Sequence, residues 1–282
     1  MPGNRDRTPL QLPAPAKINR FLHVLGRRAD GFHRLETLFQ FLQWADRLGF
    51  GALEQPHIRR IDRHPFHLPE ADLCVRAAQL LQAACPPAAG RGVTITLTKT
   101  IPPGSGQGGG SSTAATTLLA LNHLWQLGLT RARLAQLGLQ LGADVPLFIY
   151  GRAALAGGVG EVLKACEPAE KWLLICVPPV EVSTARVFAH LRADGPGGDD
   201  LSDRAPNGND LEAVTARLYP EVGQVLAWLR RHGDARMSGS GGAVYAEFNS
   251  RAEAGSAASA LPDGWNGRVT RALNRHPLAD FR

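Results

Sequence analysis

The amino-acid sequence predicts an α+β fold in two domains, and three observations predict it. First, Val93-Thr94-Ile95-Thr96-Leu97-Thr98-Lys99 places Val93, Ile95 and Leu97 on one face with period two, a half-buried strand. Leu118, Leu119, Leu121, Leu124 and Trp125 recur at helical spacing further on, so the glycine-rich stretch between them joins a strand to a helix. Second, strands and helices elsewhere do not alternate strictly, which argues against a doubly wound sheet. Third, 282 residues are enough for two domains or one large one, and 44% hydrophobic content supports a real core. A soft boundary near residue 160 divides the chain into an N-terminal domain, 1–160, and a C-terminal domain, 161–282.

Taken in order, Met1 to Pro9 is polar and expected to be loose. Lys17 to Leu25 reads as a strand fixed at its start by Pro13 and Pro15, and Arg27 to His33 as a turn. Thr37 to Trp44, Arg47 to Phe50 and His57 to Asp62 read as short strands, and Asp72 to Ala84 as a helix. After the strand, the glycine stretch and its helix, a further helix covers Arg131 to Leu141 and ends at Gly142-Ala143-Asp144-Val145-Pro146-Leu147-Phe148. The second half offers strands at Ala153 to Ala156, Glu161 to Ala165 and Trp172 to Val177, then helices at Thr184 to Leu191 and Asp210 to His232. Asp194 to Asp200 is a loop by composition. Val244 to Phe248 and Gly267 to Thr270 close the pattern as strands, the first preceded by a second glycine cluster, Ser238-Gly239-Ser240-Gly241-Gly242.

The first glycine stretch runs Pro102-Pro103-Gly104-Ser105-Gly106-Gln107-Gly108-Gly109-Gly110-Ser111-Ser112-Thr113-Ala114-Ala115-Thr116. Glycine opens backbone conformations that let amides converge on a ligand. A helix N-terminus adds unpaired N–H groups and a positive dipole end. Ser111, Ser112 and Thr113 add hydroxyls, and the physics points to phosphate. A flexible linker rarely sits between a clean strand and a clean helix. The Walker pattern needs a Lys after the glycines, and none is present. Gly104, Gly106 and Gly109 satisfy a dinucleotide spacing, but its acidic ribose partner is missing, since no Asp or Glu lies between Asp72 and Asp144. An acid-free segment around the loop avoids repelling a polyphosphate.

The net charge of +6 suits anionic ligands. The charge is scattered, and no basic run interleaves with aromatics, so nucleic acid is not an expected partner. No signal peptide or apolar run of membrane-spanning length is seen, and no membrane association is expected. Cys74, Cys85, Cys166 and Cys176 match neither a metal knuckle nor a redox pair and read as reduced core thiols of a cytoplasmic protein.

Two side chains stand out chemically. Lys17 is one of only four lysines, with Lys99, Lys164 and Lys171, among 31 basic residues, so its compact charge has a use that Arg would not serve. The plainer reading is a surface lysine on a strand. Asp144 is the first acid after the long gap. It can take a proton from an alcohol with a nearby ammonium orienting it, or simply cap a helix.

Pro13-Ala14-Pro15-Ala16-Lys17-Ile18-Asn19 resembles the first motif of the GHMP kinases, Pro102 to Thr116 their second, and Arg236-Met237-Ser238-Gly239-Ser240-Gly241 their third. Arg28-Ala29-Asp30-Gly31-Phe32-His33, Thr37-Leu38-Phe39-Gln40, Gly142 to Pro146, Asn209 to Glu212 and Ala272 to Leu278 narrow the resemblance to one isoprenoid-pathway branch. The resemblance implies a fold with an N-terminal domain like domain 2 of ribosomal protein S5 and a ferredoxin-like C-terminal domain, the site lying between them. It implies transfer of the ATP γ-phosphate to the 2-hydroxyl of a cytidine diphosphate-linked methylerythritol. Asp144 would then be the base and Lys17 its partner. Pro102, Pro103, Gly104, Ser105, Gly106, Gln107, Gly108, Gly109, Gly110, Ser111 and Ser112 would bind ATP, with Asp72 and Lys99. Asn19, Phe32, His33, Thr184 and Phe188 would line the cytidine pocket. No protein metal site is implied. Mg²⁺ is expected to ride on phosphates and water, with Ser111 within reach, and the chain to be a monomer or weak homodimer.

Three residues depart from the family pattern. Gln107 stands where the loop usually has Leu, Asp72 where an Asn commonly contacts adenine, and Arg20 where an apolar residue usually follows Asn19. Another GHMP kinase, such as a homoserine kinase, and a nucleotide-binding regulator without catalysis are the alternatives. Retention of both Lys17 and Asp144 argues against the regulator.

Overall fold

The computed structural model describes residues 9–27, 33–158, 160, 162–191 and 208–282. The polar N-terminal residues 1–8, the turn residues Arg28 to Phe32 and the loop Asp194 to Asp200 lie outside them.

The chain opens with two long antiparallel strands, β1 (Leu10–Arg27) and β2 (His33–Leu53). β3 (Ile58–Asp62) runs parallel to β4 (Gly92–Thr98), which pairs antiparallel with β2. Helices α1 (Leu73–Ala84), α2 (Gly109–Leu124), α3 (Arg131–Leu139) and α4 (Val145–Tyr150) pack with this sheet around one apolar cluster. The hairpin β5 (Ala154–Gly157) and β6 (Val162–Ala165) joins the other edge of β2. A second antiparallel sheet has the order β10-β7-β9-β8, from β7 (Trp172–Val177), β8 (Asp234–Ser238), β9 (Ala243–Phe248) and β10 (Asn266–Leu273). α5 (Thr184–Ala189), α6 (Glu212–Leu218), α7 (Pro220–Leu229) and α8 (Arg251–Ser259) belong to this half, whose core gathers Leu174, Leu211, Val222, Leu226, Met237 and Val244.

The two halves are continuous. β10 pairs with β7 over Asn266–Arg271 and then with β2 through Ala272 and Leu273. A third cluster seals the junction, with Ala16 and Ile18 from β1, Leu42 and Trp44 from β2, and Ile175 and Tyr245 from the second sheet. The four cysteines are free, and Cys74, Cys85 and Cys176 are buried. Burial pushes the Cys176 thiol up to about 12, which leaves it an inert packing group.

Several elements differ from the sequence expectation for identifiable reasons. β1 begins at Leu10, so Pro13 and Pro15 lie inside the strand; its ladder runs along β2 alone, the edge position in which proline is tolerated. The two strands expected at Thr37 to Trp44 and Arg47 to Phe50 are one. Asp46 does not break it, because its fully buried carboxylate accepts from Thr100 N at 2.6 Å, Ile101 N at 2.8 Å and Lys99 Nζ at 2.6 Å. The helix expected over Asp210 to His232 is two, because Pro220 occupies the first turn of α7 and has no N–H to continue α6. Asp144 to Phe148 does not merely terminate α3. Asp144 is the N-cap of a separate helix, α4.

Candidate active site

The glycine stretch supplies less loop and more helix than its composition suggests. α2 already begins at Gly109, so only Pro102 to Gly108 is loop. Gly104, Gly106 and Gly108 have φ of 74°, 71° and 69°, the left-handed region that glycine enters without strain. Gly108 is the N-cap of α2, so the turn aims the helix's free N–H groups at whatever lies beyond the loop. Space is also short there. A Cβ on Gly108 would come within 3.0 Å of Phe148 Cζ and 3.1 Å of Lys17 Cγ.

The loop meets the second glycine cluster across the two halves. A Cβ on Gly242 would fall 2.5 Å from the carbonyl carbon of Ser105, and one on Gly106 would touch the backbone of Gly242 at 3.5 Å. The first and third motifs are stitched in the same way, by a bond from Asn19 N to Ser238 Oγ at 3.0 Å.

Two clefts flank the loop, and Gly106 and Gly108 line both. One, of about 240 Å³, is lined by Leu73, Lys99 and Pro102 to Ser111. The other, of about 320 Å³, is lined by Lys17, Asn19, Thr37, Asp144, Thr184 and Phe188, among others from both halves. Asp144 is the one acid lining either cleft among the described residues.

Lys17 and Asp144, separated by the whole first core in sequence, form an ion pair with Nζ to Oδ2 at 3.2 Å. Lys17 is buried at 5% exposure, while a third of the Asp144 side chain remains open to the cleft. Asp144 sits at a helix N-cap but makes no capping bond, so its oxygens are left for other work. Lys17 Nζ also donates to Asn19 Oδ1 at 2.9 Å, and Asn19 Nδ2 donates to Thr37 Oγ1 at 2.8 Å. The Phe39 ring lies 5.1 Å from the ammonium. Thr184 Oγ1 and Ser240 Oγ, both from the second half, are 2.7 Å apart in the lining of this cleft. The His33 and Phe188 rings are stacked with centroids 5.1 Å apart.

The expected residues divide as follows. Lys17, Asp144, Asn19, Thr184 and Phe188 converge on the larger cleft, and His33 reaches it through Phe188. Pro102 to Ser111 and Lys99 line the smaller one, with Lys99 held by Asp46. Ser112 is turned inward, fully buried with an unpartnered hydroxyl. Asp72 does not line the cleft. It caps α1 by accepting from Val75 N at 3.1 Å and pairs with Arg60 at 3.1 Å. Phe32 lies outside the described residues. Thr37, Phe39 and Ser240 were not singled out from the sequence as site residues. The signal for Thr37 and Phe39 lay in the β1–β2 register, which opposes Asn19 to Phe39 and Leu22 to Thr37.

Comparison with known proteins fixes the class. Residues 72–152 match the model described as GHMP kinases N terminal domain, and residues 195–267 match GHMP kinases C terminal. A mevalonate kinase crystal structure superposes with a TM-score of 0.71 at 14% identity, covering 94% of this chain and all of that one, which is a likeness of fold. A 4-diphosphocytidyl-2-C-methyl-D-erythritol kinase of Nitrosomonas eutropha is 48% identical over 95% of this chain and 99% of its own length. That of Cupriavidus taiwanensis is 45% identical over the whole of both chains. A crystal structure of 4-(cytidine 5'-diphospho)-2C-methyl-D-erythritol kinase superposes with a TM-score of 0.82 at 36% identity, covering 94% of this chain and 99% of that one. The chain belongs to the GHMP kinases, and within them to the 4-diphosphocytidyl-2-C-methyl-D-erythritol kinase family.

Proposed function

We propose that this protein transfers the γ-phosphate of ATP to the 2-hydroxyl of 4-diphosphocytidyl-2-C-methyl-D-erythritol, a step of the non-mevalonate route to isoprenoid precursors. The observation that carries the reading is the Lys17–Asp144 pair, held at 3.2 Å where a phosphate-type glycine loop meets a second cleft large enough for an alcohol substrate.

The proposed assignment puts the triphosphate on the amides of Gly104 to Gly110 and the N-terminus of α2. Asp144 takes the proton of the attacking hydroxyl. Lys17 holds that carboxylate in place and stabilises charge on the transferring phosphoryl group. Phosphoryl transfer asks mainly for positioning and charge stabilisation, and amides, a dipole and an ammonium supply both. Asn19 and Thr37 orient Lys17 from below. Among the described residues no group of three or more His, Cys, Asp or Glu is arranged to hold a metal. Ser111 and Asp144 are the hard protein oxygens lining the clefts beside the loop, and they suit a Mg²⁺ whose other ligands would be phosphate and water oxygens. When bound, Mg²⁺ neutralises charge on the phosphates.

Thr184, Phe188 and His33 belong to the cytidine end in this reading. A homoserine kinase remains the alternative enzyme, but a solved one from Cytophaga hutchinsonii is 17% identical and shares the fold alone. The discriminating experiment is ATP turnover against a panel of alcohols that includes the cytidylyl methylerythritol compound, homoserine and mevalonate. Selective turnover of the first is expected. Turnover of homoserine alone, or of none, would overturn the proposal.

A further inference from the structure

Arg20 directly follows Asn19 on β1, and its long charged side chain is only 10% exposed. It reaches across the molecule. Nη2 pairs with Glu247 Oε1 on β9 at 2.7 Å. Nη1 donates to Gln40 Oε1 on β2 at 2.8 Å and to Ala169 O, in the segment before β7, at 3.1 Å. Glu247, itself 11% exposed, also receives Arg236 Nη1 at 3.3 Å, and Arg236 opens the third motif.

The backbone at this point needs outside support. The β1–β2 register shifts between Asn19 and Leu22, so Arg20 and Phe21 have no regular ladder partner. The second half supplies it. Ser238 Oγ accepts from Asn19 N at 3.0 Å, and Tyr245 Oη donates to Arg20 O at 3.3 Å. The irregular segment that carries Asn19, two residues after Lys17, is thus tied to β8 and β9 as well as to β2, where Thr37 Oγ1 donates to Phe21 O.

We infer that Arg20 is a positioning residue for phosphoryl transfer: its bridge to Glu247 and Gln40 sets the separation between Lys17 and Asn19 in the first half and Ser240 and Thr184 in the second. This rests on the proposed function, because the two sides are taken to hold the phosphoryl donor and the alcohol. A small error in that separation is costly, since displacements near 1 Å can reduce rate by about 10²-fold.

Removing the bridge costs the fold the donor to Oε1 of the fully buried Gln40, so some stability goes with it, but no buried charge is orphaned. Without Arg20, Glu247 still faces Arg236 and is not left as an unpaired buried carboxylate. The test is steady-state kinetics with the cytidylyl methylerythritol compound for wild type, Arg20→Met, Arg20→Lys, Glu247→Gln and the double variant Arg20→Met with Glu247→Gln. Arg20→Met is expected to lose about 10–100-fold in kcat with KM for ATP little changed. Arg20→Lys should recover part of the loss, and the double variant should be no worse than Arg20→Met, since both changes cut one connection. If Arg20→Met does not fold, Glu247→Gln reports the same split. A folded Arg20→Met or Glu247→Gln with wild-type kcat, or a lower melting temperature with undiminished kcat, overturns the positioning role. Absence of turnover in wild type itself overturns the proposed function instead.

Discussion

Lys17 Nζ stands 3.2 Å from Asp144 Oδ2 and 2.9 Å from Asn19 Oδ1, so a single ammonium links β1 to the N-cap of α4 in the lining of the larger cleft. The carboxylate makes no capping bond to its own helix and is open on the cleft side. If its task is to accept a proton, removing its basicity while keeping its shape should be felt in turnover alone. Asp144→Asn is expected to lower kcat by about 10²–10⁴-fold, the range for a general base. ATP affinity, read by calorimetry, should change little. Near-normal turnover would remove Asp144 from the role.

Gln107 presents the opposite case, a polar group with nothing to do inside the fold. It is fully buried, and neither its Nε2 nor its Oε1 has a hydrogen-bond partner. Its backbone carbonyl accepts from Lys17 N at 2.9 Å, so the residue is fixed whatever its side chain does. Leaving a buried polar group unsatisfied costs about 1–3 kcal/mol, whereas an apolar group of similar shape costs nothing of that kind. Gln107→Leu is therefore expected to stabilise the protein by roughly 1–2 kcal/mol. By calorimetry that is a melting temperature higher by some 2–8 °C. A lower melting temperature would mean that the amide is satisfied in solution by a buried water.

His276 should make stability depend on pH. Burial, with Arg131 adding to it, lowers its pKa from 6.5 to about 3. Its Nδ1 accepts from Leu278 N at 3.0 Å, and its ring meets the Phe41 ring edge-on at 5.2 Å. The folded protein therefore keeps this ring neutral where the unfolded chain would protonate it. The unfolded state binds the extra proton between about 3 and 6.5, so stability rises with pH across that window. The contribution is complete above 6.5 and declines as pH falls below it, by at most about 1.4 kcal/mol for each unit. Denaturant unfolding at pH 7 and 5.5 should show wild type losing more stability than His276→Gln, which keeps an acceptor for Leu278 N. Equal losses would show that His276 is solvated or charged in the fold.

Lys17 and Asp46 find partners far away in sequence, and this marks what was legible beforehand. The strand, glycine loop and helix around residue 109 were legible because period-two and helical spacing change over within a short run. Lys17 and Asp144 were singled out in the sequence by lysine scarcity and the acid-free gap, but their contact was not legible there. It depends on the β1 bulges and on the turn that starts α4. Thr37 to Trp44 and Arg47 to Phe50 were read as two strands because the partners that let Asp46 sit buried between them lie in a segment more than fifty residues on. α8 was overlooked although Ser250 and Glu253 have N-cap spacing, with Ser250 Oγ accepting from Glu253 N at 3.2 Å. Its small side chains give little apolar periodicity to read. β8 was missed because the glycines after it drew the reading toward a loop.

The last prediction concerns choice of nucleobase. His33 and Phe188 come from different halves, yet their rings stack at 5.1 Å and 29°. A flat base between two rings needs roughly 7 Å, twice an ordinary carbon contact distance, so a pyrimidine cannot enter between these two without parting them. The base would instead use the outer face of Phe188, or displace His33 to its own edge. In both arrangements Phe188 offers a face, and faces do not tell cytosine from uracil. An amino donor and ring-nitrogen acceptor must be read at the edge, and a site built for one pattern leaves buried groups unpaired with the other, a penalty on the order of 10⁴-fold. A strong preference for the cytidine substrate over its uridine analogue is expected. His33→Ala should erode the preference, while Phe188→Ala should mainly weaken binding of both analogues. Because each ring supports the other, the two losses in kcat/KM should not add in the double variant. The measurement is kcat/KM for both analogues in wild type, the single variants and the double. Equal use of the two analogues by wild type would refute the pocket. Strictly additive losses would show that the stack does not couple the two residues in catalysis, and a preference untouched by His33→Ala would move the reading of the base edge to the backbone.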